Sequence, residues 1–251
     1  MTQYLNCCQL KDQAKDRLRG NYKPAISLLL ISMFISQTVS VLFIDASAKL
    51  LPAIDISEGF VLYSLIPRFL LSLIPSCIIS SIMGILNVGI VLIFLKISCN
   101  QKPELMDLFH GFREDTATAF ILSAIQVAAG LLLQPYQLFI QFFRYSGDYK
   151  WIMFGLLALL IGYALYLPLA LCLDLSYDFM LDFPEKTPGQ LIGICFRTMR
   201  GHKLRLLRIW LSFLPLIFLG ICTFYIGFLW IQPYIQMTYT QFYLDLMKPG
   251  E

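Results

Sequence analysis

Charge is scarce in this sequence. Only 14% of its residues are Asp, Glu, Lys or Arg, against about 25% in an average soluble domain. Histidine is scarcer still, with His110 and His202 the only two. The seven cysteines are Cys7, Cys8, Cys77, Cys99, Cys172, Cys195 and Cys222, and no two make a C-x-x-C pair. A zinc or iron–sulfur site therefore finds no support, and no cofactor is expected. An odd, scattered set is also a poor disulfide framework. Catalytic signatures are missing as well: no G-x-S-x-G, no H-E-x-x-H, no Walker or G-x-G-x-x-G loop. No polar stretch is long enough to fold as a catalytic domain, so an enzyme is not expected.

Apolar residues fill the space that charge leaves. They make up 58% of the 251 residues, and the mean hydropathy is +0.70. Such a chain is best measured in membrane spans, each needing ~20 mostly apolar residues to cross ~30 Å of hydrocarbon. The net charge of +3 comes from local basic clusters. It argues for a membrane surface and against nucleic acid.

Residues 1–23 read as a basic amphipathic segment on the cytoplasmic side, carrying Lys11, Lys15, Arg17, Arg19 and Lys23. Leu5, Cys8, Ala14 and Leu18 give it a thin apolar stripe, which predicts an interfacial helix. A solvated charged tail is the alternative. Residues 24–44 are the first span, opening on Pro24, which suits a first helical turn. Ala46-Ser47-Ala48 imitates a signal-peptidase site, but the apolar run before it is longer than the ~7–15 residues of a signal peptide. Residues 45–59 form a short outer loop with Asp45, Lys49, Asp55 and Glu58.

Residues 62–97 predict a long helix kinked at Pro67 and Pro75, with a re-entrant hairpin as the alternative. After Pro103 a short amphipathic helix ends at Gly111. The third span, 116–143, is interrupted at Gln134-Pro135, and the fourth, 151–179, contains Pro168. Pro188 to Met199 is a surface helix. Residues 204–222 and 226–247 are two further spans joined at Thr223–Gly227, before a tail at 248–251. The last arm carries Gln232, Gln236 and Gln241, so one side must face other helices or a cavity. The expected fold is an all-α bundle of six transmembrane helices within residues 24–247. Five are possible if the last arm lies on the outer surface. Most of the nineteen lysines and arginines fall on segments that this count assigns to the cytoplasm, which also places both termini there.

Three stretches resemble a known family. Ala14-Lys15, Leu18 and Gly20-Asn21-Tyr22 look like its opening phrase. Asn87-Val88-Gly89, Phe94-Leu95, Leu108-Phe109 and Gly111-Phe112 resemble its central motif. Gly201-His202-Lys203, Arg205-Leu206, Leu211-Ser212-Phe213, Leu229-Trp230, Pro233-Tyr234 and Phe242-Tyr243 are similar to its C-terminal signature. The family is the bacterial membrane family catalogued as domain of unknown function nine-seven-five. Phe224-Tyr225 departs from it, since small or aliphatic residues are usual near that turn. The resemblance implies an integral membrane protein and no activity. A remoter similarity, to the membrane region of glycerophosphodiester phosphodiesterases, implies a lipid environment.

Several residues are candidates for a site. Asp174, Asp178 and Asp182, spaced i, i+4, i+8, would share a helix face near the end of the fourth span. They read as a cation or proton site, or as partners of Arg197, Arg200 or Arg205. Arg68 reads as a headgroup contact or a snorkelling side chain. Asn87 reads as a pathway residue or an interhelical hydrogen-bonding group. Gln232 and Gln236 would line a cavity or pack against a neighbouring helix. Lys15, Arg17, Arg19, Arg200, Lys203, Arg205 and Arg208 would meet anionic lipid or simply set topology. The expected partners are membrane lipids and an unidentified membrane protein. The first functional reading is a non-catalytic accessory or scaffold. The alternative is a small transporter or lipid-handling protein with a polar intramembrane cavity.

Overall fold

The computed structural model describes residues 4–50 and 61–248. Every regular element among them is helical. In chain order these are α1 (Cys7–Leu18), α2 (Tyr22–Leu50), α3 (Val61–Ser98), a 3-10 turn (Leu105–Phe109) running into α4 (His110–Arg113), α5 (Thr116–Gly130) and a second 3-10 turn (Leu131–Leu133). There follow α6 (Pro135–Ser146), α7 (Lys150–Leu173), α8 (Ser176–Asp182), α9 (Pro188–Thr198), α10 (Lys203–Cys222) and α11 (Phe228–Leu246).

Five stretches are long and apolar enough to cross a membrane: Tyr22–Leu42, Phe69–Ser98, Thr116–Leu133, Lys150–Asp182 and Lys203–Cys222. The chain is a polytopic helical membrane bundle. Large apolar side chains stay uncovered along these stretches, including Phe34 at 74%, Met153 at 71% and Phe218 at 69% exposure. Water would penalise them; lipid solvates them. The last helix, α11, is not among the five, because its glutamines and Asp245 lower its hydropathy.

Several expected boundaries shift. The helix that carries the first span does not stop at Ile44: α2 runs on to Leu50, because Asp45-Ala46-Ser47-Ala48-Lys49-Leu50 holds no helix breaker before Pro52. Of the predicted outer loop, Asp55 and Glu58 lie outside the described residues. No re-entrant hairpin forms in 61–98; α3 is one helix with Pro67 and Pro75 inside it. The interruption of the third span divides it into two helices, with Pro135 at the start of α6, where its missing N–H costs nothing. The fourth span is not one helix to Phe179. Helix α7 stops at Leu173, and α8 begins after Leu175. Asp174 sits at the break, and Asp is a poor helix-interior residue because its carboxylate competes for backbone donors. The short helix expected to end at Gly111 is instead a 3-10 turn, and α4 carries through Gly111 to Arg113.

The chain gathers into two compact units. The first comprises residues 1–35, 85–119 and 171–251. Its most buried helix is α11, which hides Ile231, Tyr234, Met237, Phe242 and Tyr243 together with Thr238, Thr240, Gln241 and Asp245. Against α11 and α10 lies α1. Its buried stripe is Leu10, Ala14 and Leu18, each with no exposed surface, while Cys8 points outward. Of the expected stripe, Ala14 and Leu18 are buried, whereas Cys8 is exposed and Leu5 precedes the helix; Leu10 supplies the third buried position and completes an i, i+4, i+8 set. Each buried leucine contributes about 1.5–3 kcal/mol, which holds down a helix that would otherwise be solvated.

Within this unit the 3-10 turn sits directly on α3. A Cβ added to Gly89 would lie 2.0 Å from the Leu108 carbonyl oxygen, and one added to Gly111 would lie 2.7 Å from that of Ile85. Two glycines thereby let the chain at 105–113 lie against the α3 backbone, and Leu108 is wholly buried there.

The second unit comprises residues 36–84 and 120–170. In it Ser123 donates to the Ser81 carbonyl at 2.6 Å. Phe139, Phe142, Trp151 and Phe154 cluster between α6 and α7, with Phe142 and Trp151 ring centres 5.0 Å apart.

Candidate functional site

The basic hinge between α9 and α10 turns at Gly201, whose φ of +97° favours glycine. Lys203, Arg205 and Arg208 then fall in the first turns of α10, with no acidic residue in its first turn. The positive end of a helix dipole disfavours cations, so this segment needs anions from elsewhere. Arg205 finds one inside the fold.

The Arg205 guanidinium donates to the Asp245 carboxylate of α11 and, at 2.7 Å, to the Leu5 carbonyl. Asp245 is 3% exposed and also accepts the Leu5 amide at 3.2 Å. Lys248 stands 3.6 Å from its other oxygen. The rings of Tyr4 and Phe242 lie 5.2 and 5.1 Å from the guanidinium carbon. His202 contacts Tyr4 at 4.7 Å between ring centres. Burial, and then the charge of Arg205, hold the His202 imidazole below its ordinary value. Arg205 is thus a clamp between the chain before α1, the start of α10 and the end of α11.

Farther along, Lys11 donates to the Ser212 carbonyl at 2.9 Å and lies 4.1 Å from the centre of the Phe213 ring. Lys15 lies 5.7 Å from the centre of Tyr234. Arg17 reaches the Asn100 side chain at 3.3 Å. Lys203 lies 6.0 Å from the Phe196 ring. Lys15, Arg17, Arg19, Arg200 and Arg208 are exposed. Among the described residues none of these five, nor Lys203, has a carboxylate within ion-pair distance.

The three aspartates do not share one helix face. Asp174 is exposed at the break after α7, Asp178 is buried in α8, and Asp182 at its end accepts the Tyr243 hydroxyl. Among the described residues no ion pair joins them to Arg197, Arg200 or Arg205, so the expected pairing is corrected: Asp245 takes Arg205 instead. Beside Asp178, the buried Cys195 thiol of α9 is pushed up to about 12, by burial first and then by the Asp178 charge.

A cleft of about 450 Å³ opens nearby, with Lys96, Cys99, His110, Glu114 and Asp182 on its walls. Lys96 pairs with Asp107 at 2.5 Å. Burial pushes the Asp107 carboxyl up, but the Glu104 amide and Lys96 outweigh it and hold it low. No three His, Cys, Asp or Glu side chains among the described residues are placed to hold a metal ion.

The polar side of α11 is largely internal. Gln241 donates to the Ser98 hydroxyl at 2.7 Å, and Thr238 bonds back to the Tyr234 carbonyl at 2.7 Å. Gln232 and Gln236 are half-buried, and Asn87 is exposed on α3. Arg68 lies in α3, with its side chain outside the described residues. The sequence reading missed Asp245, although a lone acid in the last apolar arm was itself a sign that a buried cation must meet it.

The motifs now have positions in the fold. The opening phrase is α1 and its turn, the central one is the Gly89–Leu108 approach, and the last is the α10–α11 hairpin with the Arg205 clamp. No curated protein and no solved structure matches the chain. Residues 5–249 match the family model described as a protein of unknown function (DUF975), and the chain belongs to that family.

Proposed function

We propose that this membrane protein is a non-catalytic scaffold whose cytoplasmic face engages anionic lipid headgroups and, beside them, a partner protein. One observation carries the reading. Arg17, Arg19, Arg200 and Arg208 are exposed cations with no carboxylate partner among the described residues. Arg208 also lies early in α10, where the helix dipole adds to the positive field. Near an anionic surface each such residue contributes about 1 kcal/mol. The rival reading, a transporter or lipid-handling protein with a polar intramembrane cavity, draws on the buried Asp178. It is weakened because Gln241 and Tyr243, two polar groups of the last arm, are engaged with Ser98 and Asp182.

The test is reconstitution into nanodiscs of mixed phosphatidylglycerol and phosphatidylcholine, followed by native mass spectrometry of the lipids released with the protein. Wild type should carry phosphatidylglycerol in excess of its share. The combined variant Arg17→Gln, Arg19→Gln, Arg200→Gln, Arg208→Gln should carry the two lipids in the proportion supplied. An unchanged excess in that variant sinks the reading.

A further inference from the structure

An apolar groove of about 360 Å³ lies between the first turns of α2 and the start of α11, within the first unit. Ile26, Leu30 and Met33 form one wall; Tyr225, Phe228 and Gln232 are on the other. Leu30 is 43% and Met33 58% exposed, so neither is covered by the fold. The Gln232 amide has no hydrogen-bond partner among the described residues. The groove runs along a stretch of α2 that is apolar and long enough to span a membrane.

Charge marks one end. Lys23 stands one turn before Ile26 on α2 and is exposed. Lys15 lies against Tyr234, next to Pro233 of the groove wall. Neither cation has a carboxylate within ion-pair distance among the described residues, although Asp12 and Asp16 share α1 with Lys15. From Lys23 to Met33 is ten residues of helix, about 15 Å at 1.5 Å per residue. That is half of ~30 Å of hydrocarbon, the depth that one leaflet's chains fill.

We infer that the groove seats one acyl chain of an anionic phospholipid, with its phosphate at Lys15 and Lys23. Gln232 donates to an ester carbonyl of the lipid, and the aromatic rings of Tyr225 and Phe228 flank the chain. The inference deepens the lipid reading above. It differs in naming a single seated molecule and residues outside the arginine set.

The full-length protein is purified in mild detergent, incubated with phosphatidylglycerol or phosphatidylcholine, and examined by native mass spectrometry after extensive washing. Wild type should retain one phosphatidylglycerol and at least tenfold less phosphatidylcholine. Met33→Trp and Leu30→Trp, both at exposed positions, should lose the retained lipid while keeping the wild-type melting temperature. The double variant Lys15→Ala, Lys23→Ala should lose the preference for phosphatidylglycerol. The four-arginine variant should retain the lipid as wild type does, which separates this site from the basic face. Retention of phosphatidylglycerol by both tryptophan variants, or equal retention of the two lipids by wild type, overturns the inference.

Discussion

Arg205 and Asp245 are joined across forty residues of sequence by an ion pair in which the carboxylate is 3% exposed. Such a pair stabilises little relative to an apolar substitute, but breaking it leaves a buried charge alone, at about 3–5 kcal/mol. Asp245→Ala should therefore destabilise strongly, and Arg205→Met with Asp245→Leu should recover much of the loss. Thermal unfolding in detergent reads both. Equal damage from the single and double changes would show that the pair is not what holds the site.

The approach of the 3-10 turn to α3 makes a second prediction. Gly89→Ala places a methyl 2.0 Å from a backbone oxygen that cannot move aside cheaply, and overpacking of this kind costs about 1–3 kcal/mol. Gly193→Ala, in α9 with nothing within 4 Å of the new Cβ, should instead stabilise by about 0.5–1 kcal/mol. Opposite shifts in melting temperature are expected, and a neutral Gly89→Ala would refute the close contact.

His202 gives the protein a pH dependence. Its folded value is held below the ordinary 6.5 by burial and by Arg205, so the unfolded chain takes up its proton first. Stability should fall as pH drops through about 6.5 and level off below the folded value. His202→Gln should flatten that part of the curve. Asp107 acts in a lower window. Its folded value is depressed, so its contribution is complete above 3.8 and is lost as pH falls through the folded value; Asp107→Asn removes it.

Thiol labelling separates the cysteines. Cys8, Cys99 and Cys222 are exposed, while Cys172 and Cys195 are buried. With its thiol pushed up to about 12, Cys195 holds almost no thiolate at pH 8. A maleimide should modify Cys8 and Cys99 readily and leave Cys195 untouched until the protein unfolds.

Much of the helical framework was legible because apolar run length and proline position govern it. The Gln134-Pro135 break and the α10–α11 hairpin were both visible in the sequence. The end of α2 is hidden in the sequence because Asp45 and Lys49 imitate a loop signal, whereas both lie within the helix. The break at Asp174 escaped because an i, i+4, i+8 spacing looks the same whether or not the helix continues. The clamp escaped for a different reason. Arg205 was one basic residue among several in its stretch, and only tertiary structure distinguishes the cation that turns inward to Asp245 from those that face out. Phe224 and Tyr225 take φ values of +51° and +67°. Two non-glycine residues thus make a left-handed turn that sequence rules assign to glycine.

The Leu5–Asp245 bond also sets a schedule. Its two residues are 240 positions apart, and at about 5–20 residues per second synthesis separates them by roughly 10–50 s. For most of that interval Leu10, Ala14 and Leu18 have neither α10 nor α11 to rest against. The nascent chain must keep this stripe on a membrane surface or a chaperone until α10 and α11 arrive, so a ribosome stalled before residue 203 leaves a product whose first helix has nowhere to dock.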